Sequence, residues 1–301
     1  MELVKLAPAV KDYIWGGTYF KAFNKGVSLE RVSECWELSL RDADSSIIAS
    51  GKDKGKLLVD IISKEDVGPI QDRFKYFPIL IKLIDAKENL SVQVHPSDDY
   101  ALKNENSFGK SEMWHIISAD EGSGLYVGLN KKCSKQEIKE ALEKGNILDY
   151  LNFFPVKAGD TFVIDPGTIH AIGKGVRLIE IQQNSNLTYR LYDYNRVDKF
   201  GNPRELHIQK ALEVINYNKY EMNKSNSDVL ADNQYFTVKQ VRFDGEIELK
   251  ADEKSFISFT FISGKGKVDD IEFNQYDTFF LPYKKKCLVK GKGTIIVSSV
   301  R

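Results

Sequence analysis

Four side chains of this sequence have the types and spacing of a metal centre. They are Gln93 and His95 in Ser91-Val92-Gln93-Val94-His95-Pro96, Glu112 in Gly109-Lys110-Ser111-Glu112-Met113-Trp114, and His170 in Asp165-Pro166-Gly167-Thr168-Ile169-His170. Residues two apart on a strand point to one face, so Gln93 and His95 can share a ligand, and Pro96 ends the strand directly after them. Imidazole nitrogen combined with carboxylate and amide oxygen suits a divalent metal. Taken singly, each residue has a blander use: a lone histidine is more often structural than a ligand, and Glu112 beside Lys110 could be a surface ion pair of little worth. The metal reading rests on co-occurrence, with a glutamine on the face of His95 and a second histidine closing a Gly-Asp-x5-Pro-Gly-x-x-His turn.

The chain has four histidines. Glu112 and His115 are three apart and face opposite ways on a strand, so only one can look into the site, and Glu112 is the choice. His115 is assigned to a hydrogen bond in the sheet and His207 to solvent at a helix start. Along Arg177-Leu178-Ile179-Glu180-Ile181-Gln182-Gln183 polar and apolar residues alternate, which puts Glu180 and Gln182 on one inward face. Arg190 offers a planar fork of permanent charge that can steady an enediolate or clamp a phosphate; its bland alternative is a salt bridge with Asp193 or Glu180.

Most of the chain that must position these groups reads as short strands punctuated by Gly, Asp and Asn, such as Phe77-Pro78-Ile79-Leu80-Ile81-Lys82-Leu83-Ile84, which predicts an all-β sandwich or barrel. Two helices interrupt it. Over 134–151, Ile138, Leu142 and Leu148 recur near helical spacing behind a Ser134/Glu137 capping box. Over 204–217, Leu206, Ala211, Leu212 and Ile215 share one side after Asn202-Pro203. The polar stretch from Asn218 to Asn233 predicts a solvated linker, with a boundary near residue 225. We therefore expect a catalytic metal-binding domain over 1–225 and a second β domain over 226–301. An internal likeness supports two β units: Gly159-Asp160-Thr161-Phe162-Val163-Ile164-Asp165-Pro166 is echoed by Tyr276-Asp277-Thr278-Phe279-Phe280-Leu281-Pro282, with no histidine after the second copy.

The 301 residues are ample for a sizeable core, and 43 basic and 43 acidic side chains balance to zero net charge. Nothing draws nucleic acid or an anionic membrane from a distance, so any anion must be met locally. The first residues lack the pattern of a signal peptide, and no run approaches the roughly 20 apolar residues of a membrane span, which predicts a cytoplasmic protein. Three scattered cysteines, Cys35, Cys133 and Cys287, argue against a disulfide framework or a thiolate zinc site.

Taken together these residues resemble one family, the type I phosphomannose isomerases, zinc enzymes that interconvert mannose 6-phosphate and fructose 6-phosphate. The likeness runs from Tyr13-Ile14-Trp15-Gly16-Gly17 and Ser33-Glu34-Cys35-Trp36-Glu37-Leu38-Ser39 through Ile81-Lys82-Leu83, Ser91 to Pro96 and Lys110 to Met113. It continues through Gly167-Thr168-Ile169-His170-Ala171-Ile172-Gly173 to the stretch Gln182 to Asp193. The length resembles the short bacterial branch. The resemblance implies a cupin fold, a double-stranded β-helix jelly roll, with a second, degenerate cupin-like unit at the C-terminus.

It also implies one zinc ion per chain on Gln93, His95, Glu112 and His170, Gln93 being replaceable by water because an amide oxygen is a weak ligand. Arg190 matches the catalytic arginine, Lys82 a lysine for proton transfer or substrate binding, Glu180 an acidic residue that helps proton transfer, and Ser91 and Lys110 positions near the sugar phosphate. Two positions depart from long-type members, which carry Asp where this chain has Asn186 and Tyr where it has Ile172. Asn cannot serve as a general base at neutral pH, so proton transfer falls to Glu180 or Lys82. The competing readings are another cupin chemistry such as an iron dioxygenase, a different phosphosugar as substrate, and a non-catalytic sugar-binding or regulatory cupin. Iron oxygenases use mostly histidine ligands, and the mixed set here leans away from them.

Overall fold

The computed structural model describes residues 1–198, 200–222 and 228–301. Strands dominate, paired antiparallel, and the helices are few and short, the longest being Lys135–Glu143. The expected all-β class therefore holds. Compactness divides the chain into Met1–Lys11, Tyr19–Leu83 and Ser225–Arg301 on one hand, and Asp12–Thr18 with Ile84–Lys224 on the other. This differs from a division into 1–225 and 226–301, because the early residues cluster with the C-terminal segment. Linker composition marks where a chain leaves a unit; it carries no information about which distant strands join that unit.

In the first unit an eight-stranded sheet is built around three long strands, Phe236–Lys250, Lys286–Val300 and Ile257–Val268, with Thr278–Leu281 and Val4–Ala7 beyond them. Phe243, Phe259, Phe261, Phe273, Phe279, Val289 and Ile295 form its core. The strand Val229–Asp232 pairs with Phe236–Lys250, so the end of the expected linker is structured, its backbone joining a sheet edge despite few apolar side chains. Positions 223–227 of that linker, with the proposed boundary at 225, lie outside the described residues.

The second unit holds two sheet faces. One comprises Thr161–Ile164, Glu112–Ala119 and Val176–Gln183. The other runs Tyr189–Tyr192, Val92–Val94, His170–Ile172, Gly124–Leu129, Leu151–Pro155. Trp114, Ile116, Phe162, Ile164 and Leu178 of the first pack with Leu125, Val127 and Ile172 of the second. On the outer side of the second sheet, Val92, Val94, Ala171, Tyr189 and Leu191 bury against Ile138, Ala141, Ala211 and Leu212 of two helices. Strand alternation then sends Gln93 to the face opposite Val92 and Val94.

The helix Lys135–Glu143 starts as predicted, with Ser134 N donating to Glu137 Oε2 at 2.8 Å and Glu137 N to Ser134 Oγ at 3.2 Å. It ends earlier than residue 151: Gly145 takes a φ of 72° and Leu151 already opens a strand. The second helix spans only Ile208–Val214. The expected first turn is pulled away by Arg204, whose Nε donates to Asp193 Oδ2 at 2.7 Å, and by Pro203, which bridges Val197. Sequence periodicity missed the short helix Asp98–Asn104.

The two Asp-Thr-Phe turns share their chemistry. Asp160 accepts from Lys157 N at 2.8 Å and Asp277 from Asn274 N at 2.6 Å, each aspartate closing the turn that feeds a strand. All three cysteines are buried thiols.

Candidate metal centre

His95, Glu112 and His170 come together with one donor atom from each within 4.8 Å of the others, and all three side chains are buried. Glu112 Oε1 is 3.3 Å from His170 Nε2, and Glu112 Oε2 is 3.5 Å from His95 Nε2. Glu112 opens its strand, whereas Gln93 and His170 are direct partners in the facing sheet. The Gln93 amide nitrogen lies 3.3 Å from His170 Nε2; ligation through Oε1 requires the opposite orientation of that amide.

Backbone carbonyls set the tautomers. His95 Nδ1 donates to Leu187 O at 2.7 Å and His170 Nδ1 to Thr168 O at 2.9 Å, which leaves both Nε2 lone pairs directed at Glu112. Burial pushes the His170 imidazolium down to about 3, so the ring is the neutral form that a metal requires. Two neutral imidazoles and a carboxylate fit a divalent cation with nitrogen and oxygen preference. Gly167 makes this turn possible: its φ is 85°, and its N donates to His95 O at 2.8 Å, tying the two histidine segments together.

Lys110 Nζ lies 3.1 Å from His95 Nε2, contacts Glu112 Oε2 directly and is 3.9 Å from Glu180 Oε1. Its loop is held from behind. Gln183 Oε1 accepts from Ser111 N at 2.8 Å, while its amide nitrogen donates to Asp98 Oδ1 at 3.1 Å, and Asp98 in turn accepts from Gly109 N at 2.8 Å. Ser185 Oγ donates to Phe108 O at 2.8 Å. These supports escaped the sequence reading because Gln183 alternates away from the site and carbonyls leave no side-chain signal.

Gly109 has no room for a side chain. A Cβ there would lie 2.5 Å from Ser97 C, 2.6 Å from Asp98 N and 2.6 Å from Pro96 O, all backbone atoms. Gly109→Ala is expected to cost about 1–3 kcal/mol of stability and to lower turnover further by displacing Lys110. Denaturant midpoints and kcat measured on the same preparation check both parts.

Glu180 and Gln182 occupy the inward face as expected, opposite Trp114 and Glu112 respectively, and both are buried. Trp114 Nε1 donates to Glu180 Oε2 at 3.0 Å. His115 points the other way, its Nδ1 2.9 Å from Thr161 Oγ1. His207 is less solvent-facing than expected: its Nδ1 accepts from Arg190 N at 3.3 Å, and it stands at the N-terminus of the helix Ile208–Val214.

Arg190 donates Nε to Ser91 Oγ at 3.2 Å and Nη1 to Glu205 O at 2.8 Å, so the plane of its fork is defined without a carboxylate. Asp193 instead binds Arg196 and Arg204. Burial raises the Asp193 carboxyl, but the hydrogen bonds from Arg204 and Arg196 outweigh it and hold the group below its ordinary 3.8. A carboxyl depressed in the fold contributes stability that is complete above about pH 4 and is lost as pH falls through the folded value. Asp193→Asn is therefore expected to destabilise by about 1–3 kcal/mol at pH 7, with the gap from the parent protein closing below pH 4. Urea midpoints across that range read it.

Lys82 lies in the other compact unit, its Nζ 3.7 Å from Glu34 Oε2 and 5.5 Å from the centre of the Trp36 ring, whose Nε1 donates to the same Glu34 oxygen at 2.6 Å. Asn186 is exposed, and Ile172 belongs to the apolar core of its unit.

Residues 3–117 match the family model described as phosphomannose isomerase type I, catalytic domain. Mannose-6-phosphate isomerase ManA of Bacillus subtilis (strain 168) is 36% identical over 293 residues, 92% of this chain and 91% of its own. The mannose-6-phosphate isomerase of Streptococcus mutans serotype c (strain ATCC 700610 / UA159) is 34% identical over 264 residues, 85% of this chain and 83% of its own. Among solved structures, the mannose 6-phosphate isomerase of Bacillus subtilis superposes with a TM-score of 0.87 at 33% identity, covering 99% of both chains. Similarity of this extent, over sequence and fold alike, shows that the chain, with its buried His-Glu-His cluster, belongs to the type I phosphomannose isomerase family of cupin-fold enzymes.

Proposed function

We propose that this chain is a zinc-dependent aldose–ketose isomerase interconverting mannose 6-phosphate and fructose 6-phosphate through an enediol. The observation that carries the reading is the His95–Glu112–His170 cluster with both histidines held by backbone carbonyls as Nε2 ligands. The names of the relatives supply the substrate, since each is a mannose-6-phosphate isomerase. Gln93 completes the donor set through Oε1. Zinc bound there supplies a Lewis acid without redox chemistry of its own.

The remaining steps belong to the chain. Arg190, its plane defined by Ser91 and Glu205, faces the negative charge that develops as the enediolate forms. Ser91 and Lys110 bind the sugar phosphate. Glu180, beside Lys110 and steadied by Trp114, moves the proton between C1 and C2. The assignment of catalysis to 1–225 and of a degenerate cupin-like role to 226–301 is kept here as a division of function along the sequence, distinct from the compact units, which group early residues with the C-terminal segment. A cytoplasmic location belongs to this proposal; among the described residues no helix is long and apolar enough to cross a membrane, which says nothing of β-barrels.

Isomerisation of mannose 6-phosphate by the purified protein, before and after chelation and with zinc added back, tests the reading. Activity lost on chelation and restored by zinc, in step with one bound ion per chain, is the expected result. A folded, zinc-loaded sample that leaves mannose 6-phosphate unchanged overturns it.

A further inference from the structure

We propose that Gln182 is a further substrate-positioning residue, its amide oxygen accepting a hydrogen bond from a hydroxyl of the sugar held at the His95–Glu112–His170 centre. The assignment rests on the isomerase reading above. Gln182 is the direct partner of Glu112 in the antiparallel ladder, and opposite residues of such a pair carry their side chains on one face with Cβ atoms roughly 4.5–5.5 Å apart. Its exposure is 0%. The amide nitrogen donates to Gln183 O at 2.7 Å and to Ser185 O at 2.8 Å. Both hydrogens are thereby used, and the end of the amide that is oxygen is determined by its surroundings.

That oxygen is buried and has no hydrogen-bond partner among the described residues. Buried acceptors are nearly always matched, so a donor is called for when the site is filled. The neighbours narrow its chemistry. Lys110 and Arg190 are donors only, while Glu112 and the two imidazoles serve the metal in this reading. A sugar hydroxyl both accepts and donates: donor-only side chains satisfy its oxygen, and its hydrogen needs an acceptor. Gln182 Oε1 is an unmatched acceptor on the sheet face that carries Glu112, able to receive that hydrogen.

Two variants, Gln182→Met and Gln182→Glu, test this through KM, kcat, zinc affinity measured by competition with a chromophoric chelator, and thermal midpoints. Gln182→Met loses the acceptor; KM should rise about tenfold, as for one lost hydrogen bond, with kcat within threefold and zinc affinity within twofold of the parent. Gln182→Glu keeps an acceptor and loses the amide hydrogens, so its KM should lie below that of the Met variant. A mere structural tie to the Gln183 and Ser185 carbonyls predicts the reverse order, because a carboxylate repels both. An unchanged KM in Gln182→Met, a parallel fall of zinc affinity and turnover, or the Glu variant being the worse of the two overturns the assignment. Should Gln182→Met fail to fold, KM of Gln182→Glu decides alone: within threefold of the parent supports the acceptor role, and a tenfold rise removes it. Loss of the Gln182 assignment by these outcomes leaves the parent's zinc-dependent turnover intact, whereas an inactive, zinc-loaded parent overturns the isomerase reading and takes Gln182 with it.

Discussion

Replacing His95 by alanine is expected to remove bound metal and activity together. His95 supplies one of the two Nε2 atoms of the cluster, and its Nδ1 hydrogen bond to Leu187 O holds that atom in place. Loss of an outer hydrogen-bond partner alone costs a metal site roughly 10–100-fold in affinity or activity. Deleting the ligand itself must exceed that, and we expect turnover to fall by on the order of 10³ or more. Metal content by elemental analysis and kcat on the same sample check it. The fold should survive, since His95 lies just past the strand Val92–Val94, and Val92 and Val94 anchor that strand in its core. A demetallated His95→Ala protein with full activity would sink the metal reading.

The second large effect is that of Arg190→Lys. Turnover should fall by about 10²–10³, the cost of deleting one preorganised donor at a developing oxyanion, while metal content stays at the parental level. Two of the guanidinium donors are taken by Ser91 Oγ and Glu205 O, and these contacts aim the plane. An ammonium on a flexible stem has no plane to aim, so lysine retains the charge and loses the geometry. The buried surroundings and the nearby Arg204 charge hold Arg190 below its usual value, so a bound anion at this position also relieves cation repulsion. Metal content that falls along with turnover would show that Arg190 supports the ligand cluster; an unchanged kcat would remove it from the mechanism.

These two effects separate the parts of the centre. In the proposed function His95 acts through the metal and Arg190 through charge presented to the reacting sugar, so their variants should differ in metal content. Asp193 sits one step back: it clamps Arg196 and Arg204, and the segment after Arg204 supplies the Glu205 carbonyl that receives Arg190. Its replacement should therefore be felt first as stability.

Much of the centre was readable because strand geometry is local. Gln93 and His95 share a face for the same reason that Val92 and Val94 share the other, and the structure puts the valines against helices and the polar pair at the cluster. The choice of Glu112 over His115 followed from the same parity, and His115 indeed turns to Thr161. Local rules failed where a distant contact competes with a local preference. Periodicity extended a helix back to Arg204, yet the charge-assisted bonds from Arg204 to Asp193 outweigh another helical turn. The bland alternative for Arg190, a salt bridge with Asp193, gives way for the same cause: Asp193 is near in sequence, but two other arginines reach it.

By itself the sequence determined which donors exist, which of them lie on a common strand face, that the elements are β-strands with short helices, and which family the motif order resembles. All of these depend on residue type and on spacings within one strand or turn. Only the tertiary structure decided which nitrogen of each histidine is offered to the cluster, since His95 takes its tautomer from a carbonyl at Leu187. It also decided which groups hold the Lys110 loop, how the plane of Arg190 is set, and that Lys82 pairs with Glu34. Each of those is a contact between residues far apart in the chain, often to a backbone atom that every residue carries, and so leaves no mark in residue type or local period.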